Sequence, residues 1–305
     1  MHIFASGGGG FIGSHTVEKL LEGGATVTVY DNFSSGKRIN LPLHPALQVV
    51  EGDIDDLDSV RSAMAGADAV LHLAAQVSVR ASLEEPAFSC RANILGFVNI
   101  LQSAVECGIK RLVYASSAAV YGAPASLPID EESATAPLSP YGLEKLVNDQ
   151  YAALFASLHG LSSLGLRYFN VYGPRQDPAS PYAGVISRFA DRYRAGEALR
   201  VFGDGGQTRD FIYVGDVARI TAAALSHDAT GVCNVGTGRT ASLLDLIAAL
   251  EQIGGKPAEV VHDAPQAGDI RHSATSIARQ RALFGETPFT PLAEGLQSLL
   301  ESASC

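Results

Sequence analysis

The chain has little cysteine, and none of it is spaced for chemistry. Cys90, Cys107, Cys233 and Cys305 are scattered, with no CxxC pair. That spacing offers no metal-ligand set and no disulfide framework, and it fits a reducing, cytoplasmic setting. No apolar run is long enough to span a bilayer, and no charged segment followed by an apolar core opens the chain, so neither membrane insertion nor export is expected. Positive charge is also short. The net charge of -10 argues against non-specific nucleic-acid binding. An anionic substrate would need local basic residues against that background. Tandem repeats and low-complexity tails are missing too. What remains is ordinary soluble composition, 47% hydrophobic and 18% charged over 305 residues. That length suits two domains, or one large α/β domain with a smaller lobe.

The first half alternates two kinds of segment. Strands are expected at 2–5, 26–30, 47–50, 69–73, 111–114 and 163–167, where short β-branched or apolar runs occur. Helical periodicity lies between them, with a long helix expected from Pro86 to Cys107 and another after Pro140. Strands alternating with helices predict a parallel sheet covered on both faces. After about Phe169 the pattern changes to loops rich in Gly and Pro. A turn at 203–206, a strand at 211–213, helices at 217–225 and 243–253, and two short helices within 276–300 are expected there. The division predicted is residues 1–168 as a Rossmann-type, doubly wound dinucleotide-binding domain, and 169–305 mainly as a smaller substrate lobe whose strands partly return to the main sheet.

Four glycines, Gly7 to Gly10, followed by Phe11, Ile12 and Gly13, stand between the first strand and the first helix. Gly7, Gly10 and Gly13 have the spacing that allows a tight turn and lets a pyrophosphate approach the backbone. The helix start supplies free N–H groups and a positive dipole end. Asp31 ends the second strand, where an acid can hold a ribose diol and repel a 2'-phosphate. NAD is therefore expected over NADP. Lys37 and Arg38 lie nearby and weaken that preference, unless they belong to a solvated loop. Asp53 ends the third strand, where a carboxylate can meet an adenine amine. Leu73, Ala74 and Ala75 leave room at the end of the fourth, although plain strand-to-loop transitions explain both equally well.

Tyr141 and Lys145 are four residues apart on the helix that Ser139 and Pro140 open. Positions i and i+4 share a face, and a positive neighbour lowers a tyrosine pKa from its usual ~10, which makes a proton-transfer group.

These residues together resemble the extended short-chain dehydrogenase/reductase family, and within it the UDP-glucose 4-epimerase group. The likeness covers nearly the whole chain: the glycine turn through His15, Asp31-Asn32, Gly52-Asp53, His72 to Gln76, Ser116 to Gly122, Ser139 to Lys145, Arg167 to Arg175, Arg209 to Val214, and Gly268 to Ser273. The resemblance implies that Tyr141 takes the proton from a sugar 4-hydroxyl as hydride leaves for NAD. Lys145 would hold the nicotinamide ribose and depress the Tyr141 pKa, and Ser117 would bond the same oxygen. The competing view of Ser117 is a serine that caps a strand end. A transient 4-keto sugar would turn over and take hydride back, which makes the reaction reversible and leaves NAD unchanged. The cofactor would also meet Asn32, Ser35, Gly36, Ile54 and Phe169. The UDP-sugar would lie on Asn170, Gly184, Val185, Val201, Phe202, Arg209 and Asp269, although Arg209 beside Asp210 also reads as a surface ion pair. A homodimer through the helices at 86–107 and 141–158 is implied as well.

Departures narrow the chemistry. Related 4,6-dehydratases carry Asp-Glu at the positions of Ala118 and Ala119, and related UDP-glucuronate decarboxylases carry Glu at the second. Methyl groups move no protons at C5 or C6, so both lyase readings are disfavoured. Gln266 replaces an arginine frequent in the family, and Arg271 is a candidate to compensate. Val77 and Ala92 stand where some relatives have lysine and asparagine. Ser273 replaces a bulky tyrosine and would leave space for an N-acetyl group, unless it is merely an exposed serine. UDP-glucose, UDP-galactose and their N-acetylated counterparts are therefore the expected substrates. The alternatives are another nucleotide-sugar enzyme of the family, a net reductase, or a non-catalytic NAD-binding regulator.

Overall fold

The computed structural model describes residues 1–177, 184–265, 270–286 and 288–302. The chain begins with β1 (His2–Ser6), α1 (Phe11–Glu22), β2 (Thr26–Asp31), β3 (Leu47–Glu51), α2 (Leu57–Met64) and β4 (Ala69–His72). Then come α3 (Val79–Glu84), α4 (Pro86–Cys90), a π-helical segment at Arg91–Leu95, and α5 (Gly96–Glu106). The last three are continuous, so the long helix expected here exists but carries a π segment. β5 (Arg111–Ser117), α6 (Pro140–His159) and β6 (Ser162–Tyr168) complete the first half. The second half holds β7 (Asn170–Tyr172), α7 (Val185–Ala195), β8 (Leu199–Phe202), β9 (Thr208–Arg209), β10 (Phe211–Tyr213) and α8 (Val214–Leu225). After them come β11 (Gly231–Val235), β12 (Ala241–Ser242), α9 (Leu243–Gly254), β13 (Val260–Asp263), α10 (Ala278–Phe284) and α11 (Leu292–Glu301).

Seven strands form one parallel sheet in the order β3-β2-β1-β4-β5-β6-β11. This is the doubly wound order of dinucleotide-binding folds, with the crevice at the switch point between β1 and β4. Strand alternation divides the core. Ile3, Ala5, Val27, Val29, Leu71, Val113, Leu164 and Leu166 face α1 and α8. Phe4, Tyr30, Val70, Leu112 and Tyr114 face α2, α5 and α6. Phe97, Ile100 and Leu101 of α5 are fully buried on that second face, and each such side chain contributes about 1.5–3 kcal/mol by leaving water.

A third apolar cluster gathers Ile186, Phe189 and Tyr193 of α7, Leu199 and Val201 of β8, Leu246 and Leu250 of α9, and Leu296 and Leu299 of α11. β8 pairs with β13 in parallel, away from the main sheet. From this half β11 returns to the main sheet, along β6.

Candidate active site

The glycine turn is forced by close approach. Gly7 adopts φ +76°, and a Cβ there would lie 2.4 Å from the Ala74 backbone nitrogen. A Cβ on Gly13 would lie 2.1 Å from the Gly7 carbonyl oxygen. Only backbone hydrogen fits between the end of β1, the end of β4 and the start of α1. Helix α1 starts at Gly10 with no side-chain cap and no acid in its first turn, which leaves its N-terminal field open to an anion. The Asp31 carboxylate braces this turn: Oδ2 accepts from Gly9 N at 2.8 Å and Oδ1 from Phe33 N at 2.9 Å. Gly36 packs against Gly9, where a Cβ would meet the Gly9 carbonyl carbon at 2.8 Å. Arg38 is turned away onto Glu51 at 2.6 Å and over the Phe33 ring. Asn32 donates to Asp53 Oδ2 at 2.8 Å, so the two residues at the ends of β2 and β3 form one unit. Ile54 is 7% exposed and packs into the core under Gly96. Ala74 packs at the edge of the same cluster. A crevice bounded by a side-chain-free turn, an uncapped helix start and a buried acid at the end of β2 fits a dinucleotide such as NAD.

Ser117 ends β5, and Tyr141 lies in the first turn of α6. Ser139 caps that helix by accepting from Gly142 N at 3.1 Å, and Pro140 fixes its first residue. The Ser117 hydroxyl accepts from Ala119 N at 3.1 Å, so the capping role is formed, and the same side chain stands near enough to the Tyr141 phenol to lower its pKa.

The expectation that Lys145 depresses the Tyr141 pKa needs correction. Burial raises the phenol above its ordinary value, Ser117 pulls it down, and the charge of Glu144 pushes it up. Lys145 Nζ lies 5.9 Å from the Tyr141 ring centroid and donates to the Ala115 carbonyl at 3.0 Å. The ammonium is thus held at β5 rather than at the phenol oxygen. Burial lowers Lys145 itself to about 8, with Asp149 and Glu144 opposing. His72, 2% exposed and bonded to Ser6 Oγ at 2.7 Å, is held neutral by burial and by the Lys145 charge, its pKa lowered to about 3.

Helix α6 is polar inside and apolar outside. Glu144, Lys145, Asn148 and Asp149 are buried, while Leu143, Leu154 and Leu158 are 52%, 50% and 65% exposed. Asp149 pairs with buried Arg167 at 3.0 Å and accepts from Tyr114 at 3.0 Å. Arg167 also donates to Tyr121, which donates to Asn234. This network joins α6 to β5, β6 and β11. Asn93, rather than its neighbour Ala92, reaches the site side, with bonds to Gln76 and Glu144. Sequence reading assigned no role to Glu144, Asn93 or the Asp149–Arg167 pair. Charged residues one turn apart on a helix whose leucines fall on the opposite face were the available signal. Val77 is 62% exposed.

On the substrate side, Phe169 is buried with Val120, Tyr121 and Ile129, against Ala118 and Leu146. Asn170 starts β7 and donates from Nδ2 to the Asp210 carbonyl at 3.2 Å. Asp210 is fully buried, with its carboxylate on Thr237 and Gly238. Arg209 donates to the Thr208 carbonyl at 2.9 Å, so the ion pair considered for Arg209 and Asp210 is not formed. A cavity of about 420 Å³ brings Val185 and Phe202 together with Leu243, and Arg188, Arg192 and Arg200 line it along with the acids Asp191 and Glu197. Gly184 precedes it as the N-cap of α7. The Val201 side chain is fully buried in the third cluster, which leaves only its backbone for a ligand. Ser273 is 9% exposed and donates from its backbone to the Thr208 carbonyl at 3.1 Å, so it is not the exposed serine of the competing reading. Arg271 is engaged by Asp204 in a bidentate pair at 2.9 and 2.7 Å, which argues against its standing in for the missing arginine. Asp269 and Gln266 lie outside the described residues.

Comparison with known proteins gives the family and the fold. Residues 3–236 match the model of the NAD dependent epimerase/dehydratase family. UDP-glucose 4-epimerase of Thermotoga maritima, solved with UDP-glucose, is 38% identical, with a TM-score of 0.94 over 99% of this chain and 98% of that one. UDP-N-acetylglucosamine 4-epimerase of Methanobrevibacter ruminantium, in complex with UDP-N-acetylmuramic acid, is 34% identical, with a TM-score of 0.95 over 98% and 97%. UDP-glucose 4-epimerase of Thermus thermophilus, solved with NAD, is 36% identical, with a TM-score of 0.91 over 99% and 98%.

Proposed function

Because the chain belongs to the NAD-dependent epimerase/dehydratase family, we propose that it interconverts the C4 epimers of a UDP-hexose, with NAD as its cofactor. One observation carries this reading. Ser117, at the end of the strand next to β4, stands near enough to Tyr141 to lower its pKa, while the adjoining Ala118 and Ala119 offer only methyl groups. Such a site moves a proton on and off an alcohol oxygen and has no acid or base at those two positions for elimination or decarboxylation.

The backbone of the turn from Gly7 to Gly13 would hold the cofactor's pyrophosphate, and Asp31 its adenosine ribose. Asn32, Ser35, Gly36, Asp53 and Ile54 would enclose the adenosine, and Leu73, Ala74, Ala75 and Phe169 the crevice wall. When bound, NAD accepts a hydride from the sugar and returns it, so it is regenerated in each turnover. Tyr141 takes the 4-hydroxyl proton and gives it back as general base and then general acid. Ser117 holds the same oxygen and favours the phenolate. Lys145 keeps a buried positive charge behind the phenol. Asn170 and Arg209 would bind the diphosphate, Arg209 as a planar charged donor. Val185, Phe202 and the backbone at Val201 would enclose the nucleoside end, and Ser273 would border the sugar. Residues 1–168 would serve chiefly the cofactor and 169–305 chiefly the UDP-sugar.

A second copy of the chain would cover the outward leucines of α6 together with Leu83, Phe88 and Leu95, which are 61%, 58% and 47% exposed. Such a twofold contact would leave both crevices open.

The test is incubation of the purified protein, without added cofactor, with UDP-glucose, UDP-N-acetylglucosamine and UDP-glucuronate separately, followed by NMR of the sugars. A 4-epimer of equal mass is expected from at least one of the first two. No such epimer from any of the three, or a product of altered mass, would overturn the reading.

A further inference from the structure

We propose that Glu144 is a positioning residue of this same site: a buried carboxylate that ties the Tyr141 helix to the wall of the cofactor crevice and balances the charge of Lys145. The proposal rests on Tyr141 being the proton-handling group.

Glu144 is 3% exposed. A buried carboxylate is expensive unless it is hydrogen-bonded and paired, and packing alone is met at least as well by an apolar side chain. Glu144 is compensated by two hydrogen bonds and by the nearby charge of Lys145, without a direct ion pair between them. Oε2 accepts from Ser89 Oγ at 2.8 Å and from Asn93 Nδ2 at 2.6 Å. Asn93 sits in the middle of the π-helical segment, a backbone distortion that recurs at functional positions. Its amide clasps Gln76 from both sides, accepting from Gln76 N at 2.8 Å and donating to Gln76 O at 2.8 Å. Gln76 follows Ala74 and Ala75 at the carboxyl end of β4. The chain Glu144–Asn93–Gln76 therefore fixes α6 against the crevice wall. A second tie runs beside it, from the Tyr141 backbone N–H to Ser82 Oγ at 3.1 Å.

The charge acts on both reactive neighbours. Glu144 raises the pKa of Tyr141 and, together with Asp149, opposes the burial that lowers Lys145. Other ionisable groups on the elements packed against α6 are engaged or face outward. Asp149 belongs to Arg167 of β6 and Tyr114 of β5, and Tyr121 also receives Arg167. Arg111 of β5 donates to the carbonyls of Ala224 and Ala229. Arg80 and Glu84 of α3 pair with each other, Glu106 of α5 pairs with Arg61, and Glu85 and Arg91 beside α4 are exposed. His72 is bonded to Ser6 and is kept neutral by burial and the Lys145 charge.

Glu144→Gln keeps an acceptor for Ser89 and Asn93 and removes the charge. Glu144→Met, an apolar side chain of similar length, removes the charge if the glutamine variant folds poorly. Asn93→Ala keeps the charge and removes the tie. Two readouts separate the roles: the pH profile of kcat, and the titration of Tyr141 followed by NMR of carbon-labelled tyrosine, assigned with Tyr141→Phe. Without the Glu144 charge, the Tyr141 titration and both limbs of the profile should move to lower pH. With Asn93→Ala, the limbs should stay and kcat should fall by about tenfold, the scale of one lost hydrogen bond to a charged group. Unmoved limbs and an unmoved titration in both charge-removing variants would overturn the proposal. A protein that produces no 4-epimer but shows the Tyr141 shift would contradict the function proposed above and support this role for Glu144.

Discussion

The Ser117 side chain stands beside the Tyr141 phenol and pulls its pKa down against the burial that raises it. The phenol of this site is thus tuned by a serine at the end of β5, while the lysine one turn along the same helix is fastened to the Ala115 carbonyl.

Ser117→Ala should lower kcat at neutral pH by about tenfold to a hundredfold, the range for one hydrogen bond to a charged group. The phenol loses the partner that favours its ionised form, so the acidic limb of the kcat profile should move to higher pH. Tyr141→Phe should remove about a thousandfold or more of the rate while leaving bound NAD in place. Steady-state kinetics across pH and the NAD content of the denatured proteins check both.

Asp31 accepts two backbone N–H groups in the turn, and Arg38 is committed to Glu51. The wild-type protein should bind NAD more tightly than NADP. Asp31→Ala should weaken NAD binding by about tenfold or more and narrow the gap between the two cofactors. Calorimetric titration with each dinucleotide on protein stripped of cofactor measures this. Equal affinity of the wild type for both would contradict the role given to Asp31.

His72 has a folded pKa of about 3 against an ordinary 6.5. Between these values the unfolded chain binds a proton that the folded chain refuses, so stability rises with pH through this window. The contribution is complete above pH 6.5 and is lost as pH falls toward 3, at up to about 1.4 kcal/mol per pH unit from this group. Urea unfolding from pH 7 to pH 4 should show the decline, and His72→Gln should flatten it.

Ser273 is nearly buried beside Thr208. Ser273→Tyr should reduce kcat/KM for UDP-N-acetylglucosamine by about tenfold to a hundredfold, as overpacking costs 1–3 kcal/mol, and should spare UDP-glucose. An equal loss on both sugars would show that the residue does not border the C2 substituent.

The main sheet was legible because parallel strands buried on both faces read as short apolar runs, and each run from His2 to Arg167 became a strand within one residue of its expected ends except β5, which runs three residues further, to Ser117. β11 was not read, since Gly231-Val-Cys-Asn-Val is short and completes the sheet only by pairing with distant β6. β7, β8 and β13 are as brief and pair outside the main sheet, so local pattern did not announce them. α7 went unread although Ile186, Phe189, Ala190 and Tyr193 recur at helical spacing with Arg188, Arg192 and Arg194 on the other face. Among the candidate site residues, the glycine turn, Asp31, Tyr141 and Lys145 announce themselves by spacing, and Ser117 only through the family resemblance. Two things did not. The direction in which the Lys145 ammonium points depends on the Ala115 carbonyl of a neighbouring strand. The partners of Glu144 lie more than fifty residues away, at Ser89 and Asn93.

The most direct test of reversible oxidation at C4 is to supply UDP-glucose carrying deuterium at C4, in ordinary water and without added cofactor, and to analyse the product by NMR and mass spectrometry. The expected product is the 4-epimer with deuterium retained at C4, because the hydride that leaves the sugar is the one that returns. Loss of the deuterium to solvent, or its migration to C5 or C6, would contradict the mechanism.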